Sequence, residues 1–217
     1  MNLVNSIKLH IKSKKITNII LSGGKSPLAL YSKLFSLDLD WDNINLFLLD
    51  ERLVSLKSKN SNFNNINKIL VKNNLNNKLK PLSSSYLIKN NFIKHKKLLN
   101  KGLTICILGM GNDGHFASIF SKSKNFLNLI DLKSNPRYVK ISKIGNPNVN
   151  RLTMNLPMIM MSTKIYLLLN NKVKYLTFLK AIKTKNYLKF PIYYLLKKAN
   201  KKIKVFYKSK ELKFKII

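Results

Sequence analysis

The sequence predicts a three-layer α/β fold, a mostly parallel sheet with helices on both faces in the Rossmann-like manner, and three observations carry that expectation. Apolar runs of strand length alternate with stretches of helical period along the whole chain. The strand-length runs are continuously apolar rather than alternating, as strands buried on both faces are. The glycine-rich and charged loops follow strands, at the carboxyl edge where open α/β sheets place their ligands. With 217 residues and 45% apolar content the chain is expected to form a single domain over 1–217.

Taken in order, a helix is expected near residues 2–13 and a strand over Ile16–Leu21, leading into the loop Ser22-Gly23-Gly24-Lys25-Ser26-Pro27. A helix from Pro27 to Phe35 follows, its proline in the first turn, where a missing N–H costs nothing. The strand Ile44–Leu49 runs into Asp50-Glu51-Arg52, a helix is expected over Asn62–Val71, and the Lys/Asn-rich stretch 72–80 reads as a solvated connection. A third strand, Leu103–Leu108, enters Gly109-Met110-Gly111-Asn112-Asp113-Gly114-His115, with a helix expected from there through about Phe120. Later strands are expected at Tyr138–Ile141, Arg151–Asn155, Lys164–Leu169 and Lys204–Tyr207, and helices at Val173–Ile182 and Ile192–Lys197.

A net charge of +33 suggests a polyanion surface, but only Arg52, Arg137 and Arg151 of the 41 basic residues are arginine. The lysines are scattered from Lys8 to Lys215, and asparagine and isoleucine are also in excess, the mark of compositional drift. Nucleic-acid readers favour the bidentate arginine fork, so no specific nucleic-acid partner is expected. Scattered lysine predicts only weak, salt-sensitive, sequence-blind binding by a basic module. No stretch approaches 18 apolar residues, so no membrane partner is expected. Cys106 is the single cysteine, which allows no internal disulfide and fits a reducing, cytoplasmic setting. The start of the chain lacks the apolar run of a secretory signal.

Two loops invite a phosphate reading. Ser22–Pro27 places two glycines between a strand and a helix, where free N–H groups cradle phosphate, or else forms a tight turn capped by Ser26. Gly109–Gly114 fits G-x-G-x-x-G, but it follows the third strand and a histidine crowds the helix start, which weighs against a dinucleotide. His10 and His95 read as structural or exposed. His115, two residues after Asp113 on a glycine-rich loop at the ligand edge, is placed to take a proton from water. Asp50, Glu51 and Asp113 belong to a set of only eight acids, and all fall at such loops; the competing reading of Asp50 and Asp113 is capping of the next turn.

Together these loops resemble the glucosamine-6-phosphate isomerase/6-phosphogluconolactonase family. Ser22–Pro27 resembles its Ser-Gly-Gly-x-Thr-Pro loop, and Asp50-Glu51-Arg52-Leu53-Val54 with Ser61-Asn62 resembles its Asp-Glu-Arg-x-Val and later Ser-Asn. Leu108–Phe120 matches its longest signature nearly throughout, Arg151-Leu152-Thr153 resembles its Arg-hydrophobic-Thr stretch, and Lys174 falls where Gly-x-x-Lys places its lysine. The resemblance implies a lactone hydrolase without metal or other cofactor, monomeric or homodimeric, acting on a small sugar phosphate. It implies catalytic roles for His115, as general base, Asp113 and Asp50, and phosphate binding by Gly23, Gly24, Lys25, Ser26, Arg52, Arg151 and Lys174. The related deaminases use a further glutamate shortly after the histidine, and Phe116 to Lys124 contains none. Phe116 stands where threonine is usual and is expected to narrow the pocket, Asn171 stands for a glycine, Asp-Glu-Arg lacks its following proline, and the first glycine loop arrives early.

Overall fold

The computed structural model describes residues 3–12, 16–83, 97–208 and 210–214, without the side chains of His10, Lys12, Lys25 and Ser26. His95 therefore lies outside the described residues. The chain opens with α1 (Leu3–Lys12), β1 (Thr17–Leu21), α2 (Lys25–Phe35), β2 (Ile44–Leu48), β3 (Asp50–Arg52) and α3 (Asn62–Lys72). It continues through β4 (Leu103–Gly109), α4 (Phe126–Ile130), β5 (Tyr138–Ile144), β6 (Val149–Met154) and α5 (Leu156–Met160). The last elements are β7 (Lys164–Leu169), α6 (Lys172–Thr184), α7 (Pro191–Lys198), β8 (Ile203–Tyr207) and β9 (Lys210–Leu212).

The main sheet has the order β2-β1-β4-β7-β8-β9, parallel from β2 to β8 with β9 antiparallel at its edge. Its central strands are the core: Ile19, Ile20, Leu21, Ile105, Cys106, Ile107, Leu108, Ile165 and Leu167 are fully buried. Helices cover this sheet because continuous apolar strands must be shielded on both faces. α2 supplies Tyr31, Leu34 and Phe35, and α7 supplies Ile192, Leu195 and Leu196.

Two expectations need correction. The strands at Tyr138–Ile141 and Arg151–Asn155 do not join the parallel sheet. With Asp50–Arg52, expected as a loop, they form a small antiparallel sheet of order β3-β6-β5. β5 buries Tyr138 and Ile141 but exposes Lys140, Ser142 and Lys143, so it is partly solvated, as antiparallel strands can be and the doubly covered strands of a parallel sheet are not. The helix through Phe120 does not form either. Residues 116–119 turn back on Met110 through short bridges, with Ala117 at φ 50. Tertiary bonds satisfy the chain there instead: Ser118 N donates to Thr153 Oγ1 at 3.1 Å and Ser118 Oγ to Asp50 Oδ2 at 2.6 Å. The next helix waits until α4.

Candidate active site

One cavity of about 180 Å³ opens where the carboxyl edge of the main sheet meets the small antiparallel sheet. Ser22 and Gly24 after β1, Gly109 and Gly111 after β4, and His115 line it on one side. Asp50 and Arg52 of β3, Arg151 of β6 and Lys174 of α6 line the other. Residues from each of the expected loops meet in this pocket, joined by Asn62, Met110, Ala117, Phe120 and Asn146, whereas Asp113 lines the adjoining groove behind His115.

His115 is held on its glycine loop from several directions. Its Nδ1 lies 2.5 Å from Asp113 Oδ1, and Asp113 also accepts from the His115 backbone N–H at 3.3 Å. Burial tends to raise the Asp113 carboxyl, but the hydrogen bonds and charge of His115 outweigh it and leave that carboxyl below its ordinary value. An ionised Asp113 accepts the Nδ1 proton, which leaves the Nε2 lone pair as the basic one. A Cβ on Gly111 would lie 2.1 Å from the imidazole, so only glycine fits beneath the ring. Thr177 Oγ1 of α6 donates to Asn112 O at 2.9 Å, and Ile192 N of α7 to Gly114 O at 2.9 Å, which clamp the loop from outside.

The opposite wall is cationic. Arg52 and Arg151 face each other directly across the β3–β6 pair, an arrangement that like charges disfavour. Among the described residues neither is in a salt bridge. Burial lowers the Arg151 guanidinium, the charge of Arg52 adds to that, and Asp50 and Glu51 oppose it. Burial lowers Lys174 as well. Such a wall calls for an anion, and the amino end of α2, with Gly24 at its N-cap, opens into the same cavity. Arg151 does two jobs: its Nε and Nη2 donate to Ile144 O and Pro147 O, both at 2.9 Å, and lock the β5–β6 hairpin. Arg52 Nη1 donates to Asn60 O at 3.0 Å.

Asp50 is buried and tied down, accepting from Ser118 Oγ at 2.6 Å and Asn62 Nδ2 at 3.2 Å. Gly23 stands behind the cavity wall, where a Cβ would lie 2.2 Å from the Asn62 side chain. Ser26 is not the cap of α2, a place taken by Gly24. Glu51 turns away to hold α3, accepting from Arg52 N, Asn62 N and Phe63 N at 2.6, 2.7 and 2.7 Å and from Ser61 Oγ at 3.1 Å. Burial raises its carboxyl, and the three backbone N–H bonds pull it back. Phe116 does not narrow the pocket; it is fully buried in the core. The aromatic ring that reaches the cavity is Phe120; it and Asn62 fall within the family-like motifs without a role assigned to them, and Asn146 carries no signal of residue chemistry from which a site could be read. Asn171 replaces glycine without loss, its Oδ1 capping α6 by accepting from Lys174 N at 2.9 Å.

Fold and site together define an open α/β protein with a histidine–carboxylate pair set across a small cavity from a cationic wall. Residues 1–204 match the family model described as glucosamine-6-phosphate isomerases/6-phosphogluconolactonase. A 6-phosphogluconolactonase of Neisseria meningitidis is 30% identical over 199 residues, covering 87% of this chain and 84% of that protein. The crystal structure of 6-phosphogluconolactonase from Thermotoga maritima superimposes with a TM-score of 0.75 at 27% identity, over 94% of this chain and 92% of that one. A monomeric glucosamine-6-phosphate deaminase, 20% identical, shares the fold with a TM-score of 0.71. The chain belongs to the glucosamine-6-phosphate isomerase/6-phosphogluconolactonase family.

Proposed function

We propose that this chain, as one catalytic domain, hydrolyses 6-phospho-D-glucono-1,5-lactone to 6-phospho-D-gluconate. The observation that carries the reading is His115, backed by Asp113, facing the Arg52–Arg151–Lys174 wall across one cavity of about 180 Å³. The phosphate lies against that wall and the amino end of α2, and the lactone carbonyl is presented to His115. Nε2 of His115 takes a proton from water as the water oxygen bonds to the lactone carbon. As the tetrahedral intermediate collapses, the ring C–O bond breaks and the imidazolium returns that proton to the leaving alkoxide. Asp113 keeps Nδ1–H in place through both steps. The substrate and the chain supply every group, so the reaction needs no cofactor or second subunit. Burial pushes the Cys106 thiol up to about 12, an inert thiol that suits a cytoplasmic enzyme.

The same residues argue against the deaminase reaction. Glu51 is committed to the start of α3, and Glu211, the only other glutamate, pairs with Lys204 in the β8–β9 hairpin at 3.1 Å. The test is a coupled assay on freshly made lactone, corrected for spontaneous opening, beside an ammonia-release assay on glucosamine 6-phosphate. Catalysed lactone opening without ammonia release supports the reading; ammonia release, or no catalysis of the lactone, ends it.

Arg151→Lys should raise KM more than it lowers kcat, because a phosphate remote from the carbonyl contributes anchoring. Its melting temperature should also fall, since lysine cannot make both hairpin bonds; an unchanged KM would move the phosphate elsewhere. Gly111→Ala should fold yet lose most turnover, its Cβ displacing the imidazole. Near-normal kinetics there would mean the loop can shift without consequence. Activity should fall in acid along a single-proton limb, because Asp113, held below its ordinary value by the hydrogen bonds and charge of His115, does not add a second proton over the ordinary carboxylate range. A limb steeper than one proton in the pH–kcat profile would contradict this.

A further inference from the structure

Phe120 occupies a place the mechanism so far leaves unused. Its ring stacks on the His115 imidazole with centroids 4.0 Å apart and planes 28° from parallel. The Arg151 guanidinium carbon lies over the same aromatic ring at 5.4 Å from its centroid. The ring is buried, 6% exposed, and it walls off the catalytic cavity from a larger groove of about 750 Å³ lined by Asp113, Leu188 and Phe190. Its seat is built by the β5–β6 hairpin. Gly145, at φ 77, carries no Cβ, and one placed there would come within 2.8 Å of Phe120 Cζ and 2.9 Å of Arg151 Nη2.

We propose that Phe120 is a positioning residue that touches both the base and the anion anchor, holding His115 and Arg151 at the separation the substrate requires. The inference rests on the reading of His115 as base and Arg151 as anchor. Both partners have reason to stay against an aromatic face: a guanidinium is drawn to the negative π cloud, and so is the imidazole once it has taken its proton. Asp113 fixes the imidazole in its plane through one nitrogen, and the ring stops it tilting out of that plane. On the other side, Nε and Nη2 of Arg151 are tied to the hairpin, so the ring meets a guanidinium that is itself fixed. One rigid side chain thus joins the loop after β4 to the hairpin, and it keeps the two ends of the substrate in register with the groups that handle them.

Phe120→Leu keeps an apolar side chain and removes the ring. We expect kcat to fall about 10- to 100-fold through misplacement of the base and KM to rise about 3- to 10-fold through loss of the cation–π contact. Phe120→Tyr, which keeps the ring, should restore both constants to within about threefold. In a His115→Asn background Phe120→Leu should lower kcat no further, because its effect on chemistry passes through the imidazole. A ring that only fills space predicts something else: a lower melting temperature with normal kcat and KM per folded molecule, or an equal loss in the His115→Asn background. Either result overturns the proposal. If Phe120→Leu does not fold, proton NMR of the unaltered protein decides, with the His115 resonance assigned by its disappearance in His115→Asn. The imidazole protons should be displaced upfield by the ring beneath them, and an undisplaced resonance overturns the stack. Full turnover by His115→Asn would instead sink the base itself, whereas an inactive His115→Asn beside a normal Phe120→Leu sinks only the role given to Phe120.

Discussion

His115→Asn is expected to lose about 100- to 10,000-fold in kcat, the usual contribution of a general base, while the protein folds and still binds 6-phosphogluconate. Asparagine keeps a donor toward Asp113 but offers no basic lone pair to water. The imidazole side chain is about a quarter exposed, 27%, its hydrogen-bonded partner Asp113 is 63% exposed, and its other contact is the face of Phe120, which stays in its own seat without it. Removing it therefore leaves the core intact, and the melting temperature should move by no more than a few degrees. Circular dichroism melts and product-binding calorimetry supply the folded control. A variant with near-normal lactonase turnover, or one whose activity falls only in proportion to unfolded protein, would defeat the proposed chemistry.

Glu51→Gln is expected to have the largest effect on stability and a secondary one on activity. Both carboxylate oxygens of Glu51 accept: Oε1 from Arg52 N and Asn62 N, Oε2 from Ser61 Oγ and Phe63 N. An amide presents its NH₂ to one of those pairs, donor against donor, in a site only 1% exposed. Leaving buried N–H groups without acceptors costs about 1–3 kcal/mol each, so a loss of about 3 kcal/mol is a reasonable sum. For a chain of this size that is about 6–12 °C in melting temperature. Scanning calorimetry at neutral pH measures it, and a shift under 2 °C would mean that the start of α3 holds without the carboxylate. Because Asn62 of α3 also hydrogen-bonds Asp50, loosening this helix start should reach the cavity, and KM should rise with it.

Much of this arrangement was legible in the residue pattern. The strands of the parallel sheet announce themselves because burial on both faces demands an unbroken apolar run, as in Leu103–Leu108, and the catalytic loops announce themselves because glycines and scarce acids cluster after them. Tertiary competition hid the rest. Residues 116–120 have the composition of a helix start, yet Asp50 and Thr153 offer Ser118 better partners than a helix would. Asp-Glu-Arg reads as a polar loop because no local feature reveals that β6 lies opposite it. Phe120 and Phe116 are alike in sequence; which ring reaches the cavity is decided by the hairpin carrying Gly145. Glu51 looked as interesting as Asp50, and only the proximity of the α3 N–H groups separates a helix anchor from a pocket acid.

The bonds around Asp50 and Ser118 have a consequence for when this protein becomes an enzyme. Asp50 meets Ser118 across 68 residues of chain, and Ser118 meets Thr153 across 35 more, while Lys174 arrives later still. No fragment ending before α6 can hold the base, the acid and the cationic wall together. Contacts so distant along the chain form late, since loop closure must precede them. In a refolding experiment turnover should therefore lag secondary structure and rise with the slowest packing phase, and a chain emerging from the ribosome should be catalytically silent until its last third has docked.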